Sequence, residues 1–223
     1  MQWKKIIFET LDSTNTVATD YEVGTVVVAR HQTAGRGRYG RTWVSEEGNL
    51  FMSVVLKTYE IRSSLISFVM AVSVHRALKK NGVEAQIKWP NDILLNGAKI
   101  AGILLENIES KLIVGIGVNC VSCPKNLPYP TAHLNACVTS QQLMDDILLY
   151  LNEMLEIFEN RGFEEIRRLW LQSAVGINQS IQVQLPSKIL TGIFKDLGQS
   201  GALILQLPDM QLTEITAGTV LLN

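Results

Sequence analysis

Apolar and polar positions follow two alternating rhythms along the chain up to about Gly176, and a single rhythm takes over beyond it. Lys4 to Glu9 and Thr25 to Arg30 have the apolar, β-branched character of strands. Between them, Leu11-Asp-Ser-Thr-Asn15 is a turn in which Ser13 or Thr14 could cap a helix running to about Tyr21. Asn49 to Lys57 is strand-like again. Ile66, Met70, Val74, Ala77 and Leu78 then recur at helical spacing, which predicts a helix with a buried face, ended near Asn81-Gly82. Gln86 to Trp89, Ile93 to Leu95, Lys99 to Glu106 and Leu112 to Val118 read as consecutive strands, with Asn96-Gly97 as a hairpin turn. Pro124, Pro128 and Pro130 predict irregular chain from Asn119 to Asn135. Leu143, Ile147, Leu151, Leu155 and Phe158 mark another amphipathic helix, and Glu164 to Leu171 a shorter one.

After Gly176 the period becomes two: Ile181, Val183 and Leu185 alternate with polar residues, and Leu203, Leu205 and Leu207 repeat the pattern. Glycines at 192, 201 and 218 break this tail into short strands, which predicts a small barrel or sandwich. The expected architecture is therefore α+β over residues 1–175 plus a compact all-β domain over 176–223.

Of the 223 residues, 47% are apolar, enough for one full core with a small appendage. The net charge of −1 disfavours a general binder of nucleic acid or acidic membranes. The longest nearly apolar run, Leu65 to Val74, falls far short of the roughly 20 residues that span a bilayer. Ile6, Ile7 and Phe8 are too few for a signal-peptide hydrophobic region, so a cytoplasmic protein is expected. Cys120, Cys123 and Cys137 are an odd set that gives a disulfide framework little support. Cys120-x-x-Cys123 has no second Cys/His pair at ligand spacing and reads first as a packed loop.

Four segments carry candidate chemistry. In Gly35 to Trp43, three glycines allow close backbone approach, while Arg36, Arg38 and Arg41 supply planar cations, a composition suited to an anion. No Gly-Lys-Ser/Thr follows, so this is not a Walker A loop, and nothing helix-forming follows to make it a dinucleotide fingerprint. Its glycine content predicts a mobile loop without regular structure. Lys88-Trp-Pro-Asn-Asp92 holds Lys88, Asn91 and Asp92 at a strand junction, and Lys99 follows the hairpin in an apolar strand, where a semi-buried ammonium needs a partner. Glycines inside the strand pattern Val114 to Asn119 suggest a ligand packed against it, and Asp12 to Asn15 with Gln32 suit a neutral polar ligand.

Together with Lys99-Ile-Ala-Gly-Ile103, Glu106 and Gly115-Ile-Gly-Val-Asn119, these blocks stand in the order of the motif set of the biotin protein ligases, which the sequence resembles along nearly its whole length. The resemblance implies a catalytic domain like that of the class II aminoacyl-tRNA synthetases, with a mixed or antiparallel sheet and flanking helices, and an SH3-like tail. It implies that biotin and MgATP give biotinyl-5'-adenylate, and that biotin is passed to a lysine of a biotin carrier protein domain, such as that of acetyl-CoA carboxylase. Joining two anions demands positive charge aimed at the transition state, which Arg36, Arg38, Lys88, Lys99 and Mg²⁺ could supply. A carboxylate needs no general base, so the scarcity of histidine is no objection.

Carried over residue by residue, the resemblance places Ser13, Thr14, Asn15 and Gln32 around the biotin head group, with Gly35, Gly102, Gly115 and Gly117 approaching biotin closely. Arg36 and Arg38 would hold and shield the adenylate, and Lys99 would touch both biotin carboxyl and α-phosphate. Arg41, Trp43, Lys88, Asn91 and Asn119 would face the nucleotide. Asp92 would either activate the acceptor lysine or support the site; no metal ligands are assigned.

Many relatives carry an N-terminal DNA-binding domain; here the pattern starts at Trp3, so that route to DNA is not expected. The tail has Gly198 where the family pattern has aspartate. Monomer and homodimer are both compatible with the sequence. The rivals are a lipoate ligase, disfavoured by the segment Thr33 to Trp43, and a non-catalytic RNA- or nucleotide-binding module, disfavoured by the acidic balance.

Overall fold

The computed structural model describes residues 2–58 and 60–221. Residues 1, 222 and 223, which end the two expected domain ranges, lie outside the described residues. Strands β1 (Lys4–Leu11), β2 (Thr25–Gln32), β3 (Leu50–Lys57), β4 (Gln86–Lys88), β5 (Asp92–Leu95), β6 (Ala98–Ile108) and β7 (Lys111–Val118) form one sheet in the order β1-β2-β3-β7-β6-β5-β4. Only β1 and β2 pair in parallel, joined through the short helix α1 (Thr14–Ala18); the other neighbours are antiparallel, so the sheet is mixed.

Helices α2 (Ile66–Lys80), α3 (Ser140–Arg161) and α4 (Phe163–Leu171) bear the expected apolar faces. The side chains of Leu112, Val114, Ile116 and Val118 pack with them in the main core. Period-two alternation sends Ile113, Gly115 and Gly117 to the opposite face, where Ile113 joins Ala18, Val27 and Val55. Register carries that face across the sheet: Ser53 opposes Gly115 and Phe51 opposes Gly117, which in turn opposes Gly102. This thinly covered face is where the site lies.

Asn96-Gly97 makes its turn with both residues at positive φ, as the hairpin requires. Two expectations are corrected. The first helix ends at Ala18 rather than near Tyr21, and neither Ser13 nor Thr14 caps it by a side-chain bond: Ser13 occupies the N-cap position but makes none, and Thr14 is the first helical residue. The arginine-glycine segment holds no strand or α-helix, as expected, but its backbone is partly paired. Arg36 bridges Thr42, Gly37 N donates to Arg41 O at 2.7 Å, and Trp43 N donates to Gly35 O at 2.9 Å, closing a small hairpin around Arg38–Gly40. Tyr39 and Gly40 both take positive φ there.

Strands β8 (Ser180–Gln184), β9 (Ile189–Leu197), β10 (Leu203–Gln206), β11 (Leu212–Ile215) and β12 (Thr219–Leu221) form a separate antiparallel sheet in the order β11-β10-β9-β8-β12. Its buried face, including Val183, Phe194, Leu203 and Leu205, is continuous with the main core. Trp170 meets Phe194 edge-on with centroids 6.4 Å apart, and Arg167 pairs with Asp196. Trp89 Nε1 donates to Gly201 O at 3.0 Å across this junction, both groups being buried. Trp89→Phe should therefore cost about 1–3 kcal/mol by orphaning that carbonyl, read as a lower urea midpoint. An unchanged midpoint would remove this bond from the tail's docking.

Candidate active site

One cleft, of about 880 Å³ counting its open mouth, lies on the exposed sheet face. One end is uncharged. Thr14 donates through its backbone N to Gln32 Oε1 at 2.8 Å and through its hydroxyl to the same oxygen at 3.1 Å. Gln32 Nε2 donates to Ser45 Oγ at 2.9 Å, which fixes the orientation of the amide. Ser53 Oγ lies 2.7 Å from the Thr14 hydroxyl and 2.6 Å from Asn15 Oδ1. Ser13, Thr14, Asn15 and Gln32 are all buried, brought here by the turn between β1 and α1 and by the end of β2.

The other end is cationic. Lys99 Nζ sits 2.7 Å from Asp92 Oδ1, with its side chain 18% exposed, and 5.4 Å and 5.7 Å from the ring centres of Trp43 and Tyr129. This is the partner its apolar strand demanded. Lys88 faces Asp92 across the β4–β5 pair. Burial, joined by the nearby Lys99 and Arg41 charges, holds its ammonium below the usual lysine range, while Asp92 works the other way. Arg38 donates to Asn91 Oδ1 at 3.0 Å, and Asn91 Nδ2 in turn donates to Ile103 O at 2.5 Å. Arg41 lines the cleft as an exposed cation, and Arg36 rests 2.8 Å from Glu106.

The strand glycines leave room, but for the protein's own side chains. A Cβ at Gly117 would fall 2.4 Å from the Trp43 ring, one at Gly102 2.9 Å from it, and one at Gly115 2.2 Å from Asn15 Oδ1. All three line the cleft, under the indole and the amide. Gly35 departs from its expected place. It lies under the hairpin, where a Cβ would meet Trp43 O at 2.4 Å, so it shapes the turn and is not among the lining residues. Asn119 lies beside the cleft: buried, it donates to Ala132 O at 3.0 Å and lines a smaller pocket shared with Trp43, Lys99, Tyr129 and Thr131. Gly198 is remote, nearest to Ile204 and Glu214.

Motif reading did not assign Ser45, Ser53, Tyr129 or Thr219 to the site. They come from segments with no motif of their own, and Gly218 with Thr219 brings the tail into the wall. Burial pushes the Cys120 thiol up to about 11, and Cys123 and Cys137 are free. No group of three or more potential metal-ligating side chains converges among the described residues.

Residues 7–121 match the Biotin/lipoate A/B protein ligase family, and residues 176–222 match the Biotin protein ligase C terminal domain. A biotin–[acetyl-CoA-carboxylase] ligase of Paracoccus denitrificans is 34% identical over 88% of this chain and 92% of its own length. The chain belongs to the biotin/lipoate protein ligase family. Among its other relatives, the bifunctional ligase/repressor BirA of Bacillus subtilis is 31% identical over 82% of this chain, which spans 62% of that protein. A biotin protein ligase of Aquifex aeolicus, solved in complex with biotin and ATP, superposes with a TM-score of 0.88 at 27% identity, covering 99% of this chain and 98% of that one. The family's sheet and tail are thus both present, and the family's glycine- and arginine-bearing blocks meet at one cleft.

Proposed function

We propose that this chain activates biotin with MgATP to biotinyl-5'-adenylate and transfers the biotinyl group to one lysine of the carrier domain of acetyl-CoA carboxylase. The observation that carries this reading is the cleft's polarity: an uncharged hydrogen-bonding end beside a cationic one. A cyclic urea has N–H groups and a carbonyl to satisfy, which Thr14, Asn15, Gln32, Ser45 and Ser53 can do. A dithiolane has neither, so it could make no use of these donors and acceptors and would gain no polar recognition at this end. Residues 1–175 form the catalytic domain and 176–223 the SH3-like domain in this reading, and free thiols fit a cytoplasmic enzyme.

In the first step a biotin carboxylate oxygen attacks the α-phosphorus and pyrophosphate leaves. Lys99 bridges carboxylate and α-phosphate, while Arg36, Arg38 and Lys88 hold the phosphates and offset the repulsion between the two anions. Trp43 and Asn119 take the nucleoside on the side of the smaller pocket. Asp92 is the carboxylate among the lining residues and is already paired with Lys99. A magnesium ion accompanying the triphosphate would meet Asp92 and Asn91 at this end and would supply further positive charge against the phosphates. In the second step the neutral acceptor amine attacks the acyl carbon, AMP leaves, and the amine proton is lost beside Asp92.

Biotin-dependent exchange of labelled pyrophosphate into ATP tests the first step, and exchange with lipoate but not biotin would overturn the substrate. Arg36→Ala should let the adenylate escape about tenfold faster, because the variant lacks one charge-assisted hydrogen bond to it. The measurement is promiscuous biotinylation of a bystander protein; labelling confined to the carrier would show that the hairpin is not a shield.

A further inference from the structure

Glu106 lies on β6 two positions beyond Leu104, on the sheet face that carries the cleft. A single oxygen, Oε2, accepts from Asn15 Nδ2 at 2.6 Å and from Arg36 at 2.8 Å. These donors come from different elements. Asn15 stands at the uncharged end, packed on Gly115, and Arg36 belongs to the small hairpin that it closes with Thr42.

We propose that Glu106 is a positioning residue: it parks Arg36 before substrate binds and yields it to the incoming biotin carboxylate or phosphate. The carboxylate is 29% exposed and the guanidinium side chain 46%, so water screens the pair and another anion can displace it at small cost. Lys99 is held in the same way on Asp92, so two of the cations the reaction uses are neutralised within the protein until substrate arrives. Glu106 also sets the Asn15 amide. With Nδ2 turned to the carboxylate, Oδ1 is left to accept from Ser53, whose oxygen lies 2.7 Å from the Thr14 hydroxyl. One anionic oxygen thereby links the hairpin to the polarity of the head-group end.

This inference rests on the biotinyl-adenylate reading, and its test separates the two. Adenylate made from labelled biotin is formed on the wild-type chain, on Glu106→Gln, on Arg36→Ala and on the double variant, free ligand is removed, and its loss from the protein is followed with time. Glu106→Gln keeps an acceptor for Asn15 and removes the charge that competes for Arg36. Release should slow about two- to fivefold, the range an exposed ion pair commands. In the Arg36→Ala background the same substitution should change nothing. A purely structural role would instead speed release in both backgrounds. Release from Glu106→Gln as fast as wild type or faster, or a slowing that persists without Arg36, overturns the proposal. A wild-type chain that forms no adenylate overturns the reaction itself.

Discussion

Replacing Lys99 by methionine should depress biotin-dependent pyrophosphate exchange at least about 100-fold, the loss expected when one preorganised group aimed at developing charge is removed. Methionine keeps most of the length and the apolar stem of the side chain, while the charge and its attraction to the Trp43 and Tyr129 rings are lost. The ammonium is the group that can meet carboxylate and α-phosphate together, because Asp92 already holds it at the cationic end. Folding should be little affected. Asp92 is 21% exposed and retains Lys88 as a neighbour, so its charge is not stranded in a dry interior. A thermal midpoint shifted by a few degrees at most, with exchange gone, is the expected pair of results. Exchange within a few-fold of wild type would remove Lys99 from its role.

Gly115→Ala should raise the KM for biotin by about 100-fold, through displacement of groups that the new methyl touches directly. The Cβ would stand 2.2 Å from Asn15 Oδ1 and 2.9 Å from its Cγ, closer than atoms can approach. Asn15 must move, and with it the hydrogen bonds to Ser53 and Glu106 that order the head-group end. Strand backbone at Gly115 accepts alanine, so the defect should be local. Gly198→Ala is the control: its nearest neighbour would be 3.5 Å away, an ordinary van der Waals separation, and biotin KM should not change. An unaltered KM in Gly115→Ala would mean that biotin does not use the Asn15 end of the cleft.

The long helices are legible in the sequence because each has one apolar face at period 3.6, and the hairpin at Asn96-Gly97 because a local dipeptide dictates its turn. The arginine-glycine segment reads as a loop and is one, but the backbone bonds that close it, such as Trp43 N to Gly35 O, leave no hydrophobic period to announce them. Arg36, Lys88, Asp92 and Lys99 announce themselves by charge in apolar or glycine-rich settings, and the structure brings them to one cleft. Ser45, Ser53 and Tyr129 are ordinary residues locally; register and loop path place them, and neither is written in nearby sequence. Gly35 shows the limit of a motif. Its block belongs to the site, yet the residue itself serves the turn beneath.

Transfer of labelled biotin to the carrier domain, with and without ATP and with lipoate as competitor, tests the central claim most directly. Labelling of a single carrier lysine that requires ATP and is indifferent to lipoate is the predicted result. A folded protein that leaves the carrier unlabelled, or one whose labelling lipoate suppresses, would contradict the reading of the uncharged end as a site for the biotin head group.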